Sequence, residues 1–95
     1  MTIYNNALMT TFYFGNKAAE EERCVVSIND RQILVACYGE TVEYKGSSFA
    51  DGHYELEGSG FKARASLHMT RDKSTLEGSW YEEGNRGMWS IDLEV

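Results

Sequence analysis

The groups in this chain with the means to do chemistry are two histidines, His53 and His68, two cysteines, Cys24 and Cys37, and a surplus of carboxylates. Their spacing fixes no mechanism. The cysteines form no Cys-x-x-Cys motif, and two thiols alone cannot complete a tetrahedral zinc site. There is no Gly-x-Ser-x-Gly elbow, no phosphate-binding loop and no His-Glu-x-x-His segment. General acid–base work needs a desolvated carboxyl group. Most acids here alternate outward on predicted strands or fall between them. The expectation is a protein that is not an enzyme, with no cofactor and no metal site.

Charge is distributed more tellingly. The formal net charge is −6, yet residues 62–73 hold Lys62, Arg64, Arg71 and Lys73 against Asp72 alone. Lys62, Arg64 and His68 share one strand face. This stretch either binds an anion, with His68, Arg71 and Lys73 contributing, or balances facing acids such as Glu55, Glu57 and Glu77 across neighbouring strands. The acids gather in two runs, Glu20-Glu21-Glu22 and Glu82-Glu83. With Tyr81 beside the second run, they are the candidate contact residues for a basic partner. Acidity of this size disfavours direct nucleic-acid binding and anionic membranes.

The elements that must carry these residues are strands. The 95 residues suit one domain spanning 1–95. The chain has no proline and nine glycines, placed mostly between short apolar runs. Alternation predicts a first strand with Leu8, Thr10, Phe12 and Phe14 on one face. The segment 16–22 reads either as a short helical turn capped by Asn16 or as an acidic loop. Residues 23–29 and 32–38 read as a hairpin. An Asp30-Arg31 loop pairs Cys24 with Cys37; an Asn29-Asp30 loop shifts the pairing by two. A strand over 41–44, a loop over 46–52 and a strand over 53–57 follow. The next strand alternates from Phe61 to Met69, with small Ala63 and Ala65 packing beneath a tryptophan.

The final hairpin is the most explicit segment. Gly84-Asn85 reads as a two-residue turn. That register sets Glu83 opposite Arg86, Trp80 opposite Trp89, Gly78 opposite Ile91 and Leu76 opposite Leu93. It also opposes Glu77 to Asp92. Both tryptophans then share the apolar face with Val95. Tyr13, Tyr38, Tyr44 and Tyr81 either lie on the outer side as a protein-contact patch or, the favoured reading in a two-sheet fold, cover a second layer that buries them. Gly78-Ser-Trp80 and Gly87-Met-Trp89 resemble the Gly-x-Trp element of avidin-like and lipocalin-like barrels. The element lies at the wrong end for a lipocalin, the chain is short for either, and no family is assigned on it.

The expected fold is all-β: a small antiparallel sandwich or partly open barrel of about seven short strands, meander-like, ending in the Trp-Trp hairpin. No apolar run spans a membrane and no signal peptide is evident, so a cytoplasmic protein with reduced core cysteines is expected. The expected function is that of an acidic binding protein. It would act as an inhibitor or adaptor on a larger basic protein, in the manner of phage anti-defence or bacterial immunity proteins. The alternative is a miniature β-barrel that binds a small molecule between Trp80, Trp89 and a polar mouth containing His68. A homodimer through an open sheet edge fits either.

Overall fold

The computed structural model describes residues 1–15, 19–39, 43–60 and 62–94. They form eight antiparallel strands: β1 (Thr2–Tyr13), β2 (Ala19–Ile28), β3 (Gln32–Cys37), β4 (Glu43–Ala50), β5 (His53–Gly58), β6 (Ala63–Met69), β7 (Thr75–Glu82) and β8 (Asn85–Asp92). Each strand pairs with the next, and β8 closes on β1 between Leu8 and Tyr13. The expected all-β meander is therefore a closed eight-stranded barrel. Closure removes most of the open edge on which dimerisation by strand pairing was expected.

Two hairpin turns set the register. In the first, the Asn29 side chain accepts hydrogen bonds from the amides of Arg31 and Gln32, at 2.9 and 2.8 Å. That local bonding selects Asp30-Arg31 as the loop, and Cys24 stands opposite Cys37. In the last hairpin the loop is Glu83-Gly84, with φ of 45° and 92°. Positive φ at both positions is a type I′ turn, whose twist matches the strands it joins. The expected Gly84-Asn85 loop is thus displaced, and the pairing shifts by two. Trp80 stands opposite Gly87, Gly78 opposite Trp89 and Leu76 opposite Ile91. An even shift keeps every side chain on its face, so the apolar face survives. It also separates Glu77 from Asp92: Glu77 faces Ser90, and Thr75 donates to Asp92.

The shift has a packing reason. Each indole faces a glycine, and the rings meet diagonally, 6.3 Å apart and 23° from parallel. A Cβ on Gly87 would run into the Phe12 carbonyl oxygen and come within 3.0 Å of Trp80. An eight-stranded barrel is just wide enough for its interior to be filled by side chains, and two opposed indoles would crowd that space. Ala65 lies opposite Trp80, as the small-residue pattern predicted. Leu56, Leu67, Leu76, Ile91, Leu93 and Val26 complete the core.

The first strand is turned the other way from the expectation. Ala7, Met9 and Thr11 are buried, whereas Phe12 and Phe14 are exposed. Thr11 pairs with Trp89 and Tyr13 with Gly87, so the smaller face of β1 accommodates the indoles. Gly46 to Ala50, expected in a loop, continue β4. Ala19 to Glu22, read as helical turn or loop, begin β2. The Asn16 cap, the 41–42 start of a strand, inward Phe61 and Val95 lie outside the described residues.

Candidate functional site

The β1–β2, β3–β4, β5–β6 and β7–β8 connections share one end of the barrel. At this end the aliphatic core stops and a cavity of about 200 Å³ opens above the tryptophans. Alternation along each strand delivers its walls. Tyr13 and Thr11 come from β1, Glu20 and Glu22 from β2, Tyr44 from β4, Trp80 and Glu82 from β7, and Trp89 from β8. Glu20 and Glu22 continue inward from Cys24, Val26 and Ile28, because residues two apart in a strand share a face.

The polar groups of this mouth are organised in pairs. The Tyr44 hydroxyl donates to Glu82 Oε2 at 2.6 Å. Burial first, then this bond and the Glu82 charge, pushes the Tyr44 phenol far above its ordinary range. Tyr13 is raised by burial, by the charges of Glu20 and Glu82 and by its hydrogen bond to Glu20. Both phenols therefore remain proton donors at neutral pH. The rings pack edge to face, Tyr13 on Trp80 at 5.1 Å and Tyr44 on Trp89 at 4.9 Å. Among the described residues, three carboxylates line the cavity and no lysine or arginine does. No three His, Cys, Asp or Glu of the described residues are arranged to share a metal ion.

Cys24 and Cys37 are joined in a disulfide across β2 and β3, with Cys37 in the cavity wall. This replaces the expected reduced core cysteines. The settled hairpin register opposes the two residues directly, and their Cα atoms lie 4.0 Å apart.

A second polar cluster sits on the outer face of β5 and β6. His53 Nε2 contacts Glu55 and lies 3.3 Å from the Ser66 hydroxyl, which also donates to Glu55. The His53 and His68 rings are 4.3 Å apart. The bonds from Ser66 and then His53 hold the Glu55 carboxyl below its usual range. A nucleophilic triad places serine and acid on opposite ring nitrogens. Here both meet Nε2, so the imidazole is not oriented as a base toward Ser66.

The predicted contact residues divide. Glu20, Glu22 and Glu82 are brought together, half-buried or at the rim. Glu21 faces outward opposite Thr10. Glu83 occupies the turn and Tyr81 is exposed on the outer wall. The basic residues do not converge. Lys62 and Arg64 lie with Glu57 and Tyr81 near the mouth end, whereas Arg71 and Lys73 lie in the β6–β7 connection at the other end. His68 is on the outer wall opposite His53 and Glu77 and takes no part in the mouth. Arg64 stands opposite Glu57 in register, but neither it nor Lys62 closes an ion pair with a described acid.

Sequence reasoning missed Thr11, Tyr13 and Tyr44 as mouth residues. Period-two alternation carried back from Cys24 to Glu20 was a usable signal for the acids. The tyrosines depended on closure of the barrel, which alternation does not encode. The chain matches no protein-family model, no curated protein and no solved structure.

Proposed function

We propose that this protein is a non-enzymatic binding protein whose barrel mouth receives a small organic cation. The observation that carries the reading is the convergence of Glu20, Glu22 and Glu82 on one aromatic-walled cavity without a lining lysine or arginine among the described residues. Negative charge in a half-buried cup is favourable for a cation and is only partly screened by salt. The indole faces are occupied by one another and by tyrosine edges. Recognition then falls to the carboxylate oxygens, which select a cation bearing N–H donors over a quaternary ammonium.

The cavity sets the size. A 150 Å³ apolar cavity holds benzene, so the 200 Å³ here suits about eight non-hydrogen atoms by the same measure. At roughly 0.6 kcal/mol per atom, between the usual limits for small ligands, that is ~5 kcal/mol, or a Kd of about 0.2 mM. The disulfide fits an oxidising compartment better than the cytoplasm expected from the sequence.

Titration of intrinsic tryptophan fluorescence tests the reading. Benzylamine should perturb Trp80 and Trp89 saturably, while benzyl alcohol, of equal size and no charge, binds at least tenfold more weakly. Equal responses to both compounds, or none to either, would remove the proposal. The docking of an acidic surface on a basic protein is favoured by one further observation: Glu21, Glu83 and Tyr81 lie exposed outside the mouth. A lysine side chain of such a partner offers the same ammonium. Binding of a lysine-rich partner, impaired by Glu83→Lys, together with silence toward free amines would select that second reading.

A further inference from the structure

Strand β1 turns an apolar strip toward solvent. Of its outward residues Leu8, Thr10, Phe12 and Phe14, Phe12 is 46% and Phe14 64% exposed. Beside Phe12 stand exposed Ala19 on β2 and Met88 on β8, the methionine 40% exposed. Single apolar residues on a surface need no explanation, but these are contiguous across three strands, as at an interaction site. All eight strands are already spent on closing the barrel, and among the described residues no other element lies over the strip.

The groups flanking the strip match one another level by level. Leu8 has Arg23 on its β2 side and Asp92 on its β8 side. Both are exposed, and neither closes an ion pair with a described residue. One step toward the mouth, Thr10 has the Glu21 carboxylate on its β2 side and the Ser90 hydroxyl on its β8 side. The next step is Phe12, with an apolar side chain on each flank. A two-fold interface uses the same patch on both partners and so requires this self-complementarity. A half-turn about an axis along the outer surface of β1 lays each β2 flank on the other copy's β8 flank. Arg23 then meets the second copy's Asp92, twice over, Glu21 meets its Ser90, Ala19 its Met88, and Phe12 its own equivalent on the axis.

We infer that this protein pairs with a second copy of itself through the outer wall of β1, with Phe12 at the centre and the Arg23–Asp92 pairs at the edge. Side chains make the contact, so no open strand edge is needed. The axis follows β1 and preserves its direction, so both mouths open on the same side of the pair. Strands lie about 4.8 Å apart and residues about 3.4 Å apart along them, so the strip from β2 to β8 and from Leu8 to Phe14 measures roughly 10 by 20 Å between Cα atoms. With side-chain overhang this is about 400 Å² on each copy, half of what a standard stable interface buries. The pair is accordingly transient and forms at protein concentrations on the order of 100 μM.

Sedimentation equilibrium between about 20 μM and about 1 mM protein tests the pairing. The weight-average mass of the parent should climb from 10.8 kDa toward twice that value. Phe12→Ser, at an exposed position, should remain monomeric throughout. Arg23→Asp and Asp92→Arg each set like charges against one another in their own pairs and should weaken self-association at least about fivefold. Mixed in equal amounts, the two variants should recover the parent's association, because each supplies the charge that the other lacks. Thermal melts establish that every variant is folded. A parent that stays monomeric at the highest concentration, a Phe12→Ser protein that associates like the parent, single charge variants that associate as well as the parent, or a mixture no more associated than either variant alone overturns the inference.

Discussion

Glu82→Gln separates the charge of the mouth from its shape. The amide has the size of the carboxylate, and its oxygen can still accept the Tyr44 hydroxyl that now reaches Glu82 at 2.6 Å. What is lost is one negative charge beside the ligand. An ammonium in a cavity of this size sits roughly 5 Å from that carboxylate, worth about 2 kcal/mol at an effective dielectric near 30. Glu82 is only half-buried, and water and ions reduce the figure to about 1–1.5 kcal/mol. The expected result is a five- to twelvefold rise in the Kd of benzylamine (roughly, by the same conversion).

The fold should notice far less. A charge-assisted hydrogen bond becomes a neutral one, a loss of up to about 1 kcal/mol. Relief of repulsion with Glu20 and Glu22 acts in the opposite direction. The melting temperature should stay within about 5 °C of the parent, the shift expected of that loss in a domain this small. Calorimetry at low and high sodium chloride completes the assay: the parent should lose affinity with salt more steeply than the variant. A folded Glu82→Gln protein with the parent's affinity and salt slope would refute the reasoning, because the carboxylate would then not face the ligand.

Three other outcomes follow from the geometry. Tyr44 and Tyr13 hold their protons more tightly in the folded chain than in the unfolded one; their contribution is complete below the ordinary phenol pKa of about 10 and is lost as pH rises above it. Urea melts should therefore show stability falling from about pH 10 upward, and Tyr44→Phe should flatten that slope. The disulfide joins residues 13 apart, and reducing it should lower stability by about 3 kcal/mol; a thiol-free mass spectrum before reduction and an unchanged melt after it would argue against a structural bond. Gly87→Ala should destabilise strongly, since its methyl group meets the Phe12 backbone and the Trp80 ring; a melt like the parent's would show that the β1–β8 seam is looser than drawn.

Much of this barrel was legible because alternation survives even shifts. The tryptophan hairpin was read two residues out of register, yet Leu76, Trp80, Trp89 and Ile91 were still assigned to the interior. The turn itself misled because Glu83 occupies a positive-φ position that favours glycine or asparagine. The β1 face was misjudged for a different reason. Phe12 and Phe14 are the more apolar choice, but the indoles on the neighbouring β8 and β7 crowd the interior beside Ala7, Met9 and Thr11. Long-range crowding of this kind is absent from local sequence. The acids of the mouth were named as contact residues, but their convergence with Tyr13 and Tyr44 depended on eight strands closing rather than seven lying open.

Closure also explains how so short a chain accommodates both a core and a cup. A barrel this narrow must be filled along most of its length to be stable. Aliphatic side chains fill the half near the β2–β3, β4–β5 and β6–β7 connections, and the two indoles plug the middle. Tyr13 and Tyr44 then reach across the top, each supporting an indole with its ring edge and a carboxylate with its hydroxyl. One residue type thus ties the apolar plug to the charged rim. Three carboxylates around one opening repel one another, a cost that a freestanding core would have no reason to retain. Replacing Glu82 by a neutral side chain relieves part of that repulsion but weakens its bond from Tyr44, so the two effects oppose one another in the empty barrel. The cation proposed for the mouth would offset that repulsion.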